Sequence, residues 1–327
     1  MTVQGTAGLQ RWDCHCHLEG SIFPRALRRI RRLINVPLER LGVVIPDSLP
    51  SGFHDFIHQF RGSYPLFRFP DTYGIVLEEL LLLLADEKVA YTEVHVNLAL
   101  MEAHGHNPED IFRRLWQVRE TVGMEAGVDC RFIADVPWQF SPSLLSPLLR
   151  EANAFQSIGV LGVSLGGDES LAEPSRFTYA LEQCRSLEFK ILCHCGELPG
   201  QAVVRAVLDQ LPVQRLVHAL SAASSPALLR QIHDRGISID VCFTSNRVLL
   251  GVEFEEHPWR LFRQHEIPIA FGSDDPAIFH ITPGGELDLA ASLLGDAANR
   301  LFWEESRRKI GLADVTSRED YPRRSQT

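Results

Sequence analysis

The sequence predicts a (β/α)8 barrel, and three observations carry that prediction. Eight short apolar segments rich in strand formers recur along the chain, longer helical patterns separate them, and no linker or low-complexity stretch interrupts the series. A chain of 327 residues suits one large barrel. Residues 1–327 therefore read as a single domain, with 314–327 as a polar, disordered tail.

The strand segments run 11–17, 91–98, 130–136, 159–165, 189–195, 215–220, 236–242 and 267–274. An open doubly wound sheet would also alternate strands with helices, but it would not need eight evenly distributed strands. Between the first two strands lies a long insert with its own helical patterns, "GFHDFIHQF" and "TYGIVLEELLLLLADE". Barrel sites form at the carboxyl ends of the strands, so this insert is expected over the active-site mouth. Phe53, Phe56 and Phe60 recur there at helical spacing and are read as packing onto the barrel rather than touching a ligand. His54 and His58 are read as an exposed helix face, and His104 and His106 as loop residues.

Composition narrows the functional classes. The net charge of −10 argues against nucleic acid as a partner. The arginines of "PRALRRIRRL" are the local exception and read as a solvated helix face. The run Leu80–Ala85 is too short to span a bilayer, and residues 1–10 lack the apolar core of a secretory signal. Seven cysteines without disulfide-like spacing fit reduced thiols, so a cytoplasmic protein is expected.

The chemistry collects at the strand ends. In "RWDCHCHLEGS" the alternation of a strand puts His15 and His17 on one face and Cys14 and Cys16 on the other. "CHCGE" repeats the pattern around His194, with Cys193 and Cys195 turned away. His218 ends strand six, while Asp274 and Asp275 end strand eight. Histidines and a carboxylate converging on one barrel face suit Zn²⁺ at about 2.0–2.2 Å. The cysteines then serve as small apolar residues facing the helix layer.

"HCHLEGS", "LGGDES", "HCGE", "RLVHAL", "DVCFTSN" and "FGSDDPAIF", in that order, resemble the adenosine and adenine deaminase family of the amidohydrolase superfamily. The resemblance runs from about Asp13 to Leu294. It implies a hydrolytic deaminase acting on a small-molecule 6-aminopurine: adenosine or deoxyadenosine first, with adenine or a modified nucleoside as the alternative. It also implies one zinc ion per chain held by His15, His17, His194 and Asp274, with a position left for water. His218 matches the histidine that orients this water and, with Asp274, aids its deprotonation. Glu197 matches the acid that protonates the purine ring nitrogen next to the reacting carbon. Asp275 matches the residue that holds the purine at N7, and Gly167 the glycine whose amide approaches the base. His17 and Glu19 complete the expected substrate contacts, while Asn246 is read as structural.

Three positions depart from the nucleoside deaminase pattern. Glu19 stands where aspartate commonly meets the ribose, and glutamate there is more usual in adenine deaminases. Ala219 replaces a glycine, and His95 stands in place of an arginine. Other classes fit less well. Binuclear barrel hydrolases often bridge their metals with a lysine after strand four, and "VSLGG" offers none. Nucleic-acid deaminases carry a cysteine-pair signature that is absent. A binding protein on the same scaffold would not need the full set of ligands, acid and orienting histidine.

Overall fold

A computed structural model describes residues 11–294, so the expected tail lies outside the described residues. Eight parallel strands lie in sequence order: β1 (Arg11–His17), β2 (Val89–Asn97), β3 (Asp129–Pro137), β4 (Val160–Gly166), β5 (Lys190–Cys195), β6 (Arg215–His218), β7 (Ser238–Val241) and β8 (Ile269–Phe271). An isolated bridge between Cys16 and Asp274 joins the first strand to the segment after the last. This is the (β/α)8 barrel that the alternating pattern predicts. β8 is shorter than expected, which leaves Asp274 just beyond its end; the amide of Asp274 donates to the carbonyl of His15 at 2.9 Å.

The insert carries three main helices. α1 (Pro24–Ile34) and α3 (Pro70–Asp86) both begin with proline, whose fixed φ and missing N–H suit the first helical turn. The run Leu80–Ala85 sits within α3, where Leu80, Leu81 and Leu84 are fully buried. No helix among the described residues is long and apolar enough to cross a membrane. Arg25 and Arg29 of α1 pair with Glu79 of α3, and Arg29 also reaches Glu78. Part of the basic face is thus helix-to-helix contact; Arg28, Arg31 and Arg32 are exposed, as expected. α2 (Phe53–Gly62) presents His54 and His58 to solvent and Phe53 and Phe56 inward.

The cysteine expectation holds for three residues and fails for one. Cys16, Cys193 and Cys195 join the main apolar core. Cys14 instead packs with Trp12, Tyr91 and Ala270 in a separate cluster. The β1–β2 register shifts between Asp13 and Cys16, which breaks the strict alternation assumed from the sequence. Nearby, the buried guanidinium of Arg215 joins Glu93, Asp240 and the carbonyl of Cys14. This network ties β1, β2, β6 and β7 together beneath the histidines.

Candidate active site

The strand ends bring His15, His17, His194 and Asp274 together. His15 Nε2 and His17 Nε2 lie 3.2 and 3.3 Å from His194 Nε2, and each lies 3.5 Å from Asp274 Oδ1. A tetrahedron of ligands about 2.05 Å from a central ion has edges of about 3.3 Å, so these four atoms outline a cage for a zinc-sized ion. The hydrogen bonding agrees. His194 Nδ1 lies 3.0 Å from the carbonyl of Leu165, which can only accept, so Nδ1 carries the proton and Nε2 offers its lone pair to the cage. Burial and the neighbouring imidazole hold His15 well below its ordinary pKa, and burial and His15 do the same for His17. Neutral imidazoles are the form that binds metal. The residues present fit the ion that the motif implies.

Asp274, at φ 62°, and His218, at φ 67°, both occupy the left-handed backbone region, as does Ala219 at φ 51°. Non-glycine residues held there cost of order 1–3 kcal/mol each and cluster at functional sites. This also explains the glycine more usual at the Ala219 position. His95 extends the cluster: its ring centroid lies 4.1 Å from that of His15. Neither of its ring nitrogens has a hydrogen-bond partner among the described residues. The ligand atoms of His15, His17, His95 and His194 lie within 4.8 Å of one another, a looser spacing than the cage edges.

A cleft opens beside the cage, and Glu197, His218, Asp275 and Gly167 line it together with His17, His194 and Asp274. Glu197 Oε1 lies 3.5 Å from His218 Nε2. Burial, then the charges of Asp274 and Glu169, push the Glu197 carboxyl well above its usual range, which favours the protonated acid at neutral pH. Its backbone is held by Glu169, which accepts from the amides of Gly196, Glu197 and Leu198 at 2.7–2.8 Å. Asp275 is buried with no hydrogen-bond partner for Oδ1 among the described residues. Burial and Asp274 raise its carboxyl too.

Both glycines of "LGGDES" are required, for different reasons. A Cβ on Gly166 would stand 2.9 Å from His194 Nδ1, and Gly167 has φ +83°, the region glycine tolerates best.

Phe53, Phe56 and Phe60 pack as expected: Phe56 stacks on Phe279 with centroids 5.4 Å apart. All three also line the cleft, so packing and ligand contact are not alternatives here. His104 and His106 do more than occupy a loop, because their Nε2 atoms meet the carbonyls of Tyr64 and Phe67 and anchor the insert. Glu19 is buried and is not among the residues lining the cleft. Its carboxylate accepts from the amide of Asn97, and Asn97 and Tyr64 form the wall in front of it. Burial raises the Glu19 carboxyl to about 8.

The sequence reading passed over Glu169, Asn97, Asp135, Arg61, Tyr64 and His257. Asn97 could have been found, since it shares a strand face with Glu93 and His95. Glu169 lay two residues past Gly167 in a motif already singled out.

A (β/α)8 barrel with three histidines and an aspartate converging at its strand ends defines a metal-dependent hydrolase of the amidohydrolase type. The chain belongs to the adenosine deaminase family, whose sequence model matches residues 11–302. It is therefore a hydrolase acting on carbon–nitrogen bonds in cyclic amidines. An adenine deaminase of Chelativorans sp. (strain BNC1) is 28% identical over 294 residues, covering 88% of each chain. Among solved structures, the adenine deaminase of Arthrobacter aurescens superposes with a TM-score of 0.80 at 17% identity, covering 93% of this chain and 94% of that one. An amidohydrolase from Burkholderia ambifaria, solved with bound Zn, gives a TM-score of 0.77 at 21% identity, covering 92% and 85%.

Proposed function

We propose that the protein hydrolyses the 6-amino group of free adenine, releasing ammonia, with one zinc ion held by His15, His17, His194 and Asp274. The cage separations of 3.2–3.5 Å, with the Glu197 carboxyl facing the same cleft, carry this reading. Zinc, when bound, supplies Lewis acidity that lowers the pKa of a coordinated water towards about 7. Glu197 delivers a proton to the ring nitrogen beside the reacting carbon. Asp275, protonated through its burial, donates towards N7, and Gly167 leaves its amide open to the base. His218 and Asp274 handle the attacking water.

Two observations favour adenine over adenosine, which led among the sequence expectations. The adenine deaminase of Chelativorans matches across most of both chains. Glu19 accepts from the amide of Asn97 through Oε1 and is not among the residues lining the cleft, so no carboxylate stands at the cleft surface there to meet a ribose hydroxyl. Ammonia release by the zinc-loaded enzyme from adenine, adenosine and deoxyadenosine, with methylamine release from N6-methyladenine, tests the proposal. The expected order puts adenine first, by about tenfold or more in kcat/KM. A preference for adenosine would overturn the substrate, and no release from any of them would overturn the reaction.

A further inference from the structure

A chain of hydrogen bonds with a fixed direction ends on His218. It starts at the backbone amide of Trp259, which lies 3.1 Å from His257 Nδ1. A backbone N–H only donates, so His257 Nδ1 must be the acceptor. Burial lowers the His257 pKa to about 3, so the ring is neutral and carries its single proton on Nε2. That nitrogen lies 3.0 Å from Asn246 Oδ1 and donates to it. The amide of Asn246 is thereby oriented, with its NH2 group 3.1 Å from His218 Nδ1. His218 Nδ1 accepts, and the proton of the neutral His218 ring is left on Nε2, which faces Glu197 Oε1 at 3.5 Å and Asp274 Oδ2 at 3.9 Å. His218, Asn246 and His257 are all buried. Because the first donor is main chain, the direction cannot be reversed by flipping the asparagine alone.

We propose that Asn246 and His257 are positioning residues that hold His218 as its Nε2–H tautomer. His218 then acts as a hydrogen-bond donor to the attacking oxygen, and the proton leaving the water passes to a carboxylate, with Asp274 the ligand beside it. This rests on the deaminase reading for its catalytic meaning, but the tautomer itself does not. The role goes beyond packing, the part that Asn246 was expected to play.

Asn246→Asp tests the proposal with almost no change in shape. A carboxylate still accepts from His257 Nε2, but it also demands a proton from His218 Nδ1 and so moves the His218 lone pair to Nε2. A mis-set tautomer or a lost donor costs about 10²–10⁴ in rate. The expected result is a fall in kcat on that scale, with zinc content, unfolding midpoint and KM near those of the parent. His257→Gln keeps a donor to Asn246 Oδ1 and should retain kcat within about tenfold.

Imidazole ¹⁵N NMR of the zinc-loaded parent, with His218 assigned by its loss in His218→Gln, should show the proton on Nε2. In Asn246→Asp it should show the proton on Nδ1. Parent protein with the proton on Nδ1, or Asn246→Asp with undiminished kcat, would overturn the proposal. If the parent deaminates no aminopurine, the functional reading fails, while the NMR result still decides the tautomer. If Asn246→Asp does not fold, the spectrum of the parent decides it alone.

Discussion

Replacing Glu197 with glutamine separates holding a metal from moving a proton. Glutamine keeps the shape of the side chain, and its Oε1 can still accept from His218 Nε2, now 3.5 Å from the carboxylate. The three amides that Glu169 holds are backbone, so the loop around residue 197 keeps its anchor. The metal cage loses nothing, because Glu197 is not one of its four ligands. What disappears is the acidic proton that burial and the Asp274 charge keep on the side chain. A positioned acid contributes about 10²–10⁴ in rate, or roughly 3–5 kcal/mol of barrier. Steady-state ammonia release should therefore show kcat reduced on that scale. Zinc content by elemental analysis and purine binding by calorimetry should stay near those of the parent. A variant with full zinc and nearly full kcat would refute the assignment of Glu197 as the acid.

Three further outcomes follow from the same geometry. Burial raises the Glu286 carboxyl from 4.5 to about 7, so the folded state holds a proton there that the unfolded chain releases. Its stabilising contribution is complete below pH 4.5 and is lost as pH rises to about 7. Glu286→Gln should thus gain on the parent by up to about 3 kcal/mol across that window, and a gap in denaturant midpoints that does not change with pH would refute this. Glu19→Asp withdraws the carboxylate from the amide of Asn97 and should shift the adenine-to-adenosine ratio of kcat/KM by about tenfold; an unchanged ratio would mean that residue 19 does not shape the sugar end. Gly166→Ala puts a methyl 2.9 Å from His194 Nδ1 and should weaken zinc affinity by about 10–100-fold in a chelator competition; unchanged affinity would mean that the ring has room to yield.

The barrel and its cage were legible because both are written in local pattern. Eight apolar segments alternating with helical patterns name the strands, and a histidine or aspartate at a strand's carboxyl end must face the mouth. Where the reading failed, non-local geometry had intervened. Cys14 departs from the alternation because the pairing of β1 with β2 slips by a register that the sequence does not display. Phe60 reaches the cleft because α2 lies across the mouth, and its apolar spacing cannot say whether the far side of the contact is protein or ligand. Glu19 kept its expected place near His17, but its carboxylate turned towards a strand amide. Glu169 acts through backbone amides distant in sequence, and His257 through the side chain of Asn246, and no motif records such partners. His218 was found from its strand, whereas its tautomer needed the chain through Asn246 and the Trp259 amide.

Anomalous diffraction at the zinc edge, from crystals of the zinc-loaded protein, tests the central claim most directly. One peak per chain is expected, about 2.0–2.2 Å from His15 Nε2, His17 Nε2, His194 Nε2 and Asp274 Oδ1. A peak on the cysteines that frame these histidines, or a second peak of equal height in the same site, would contradict the account.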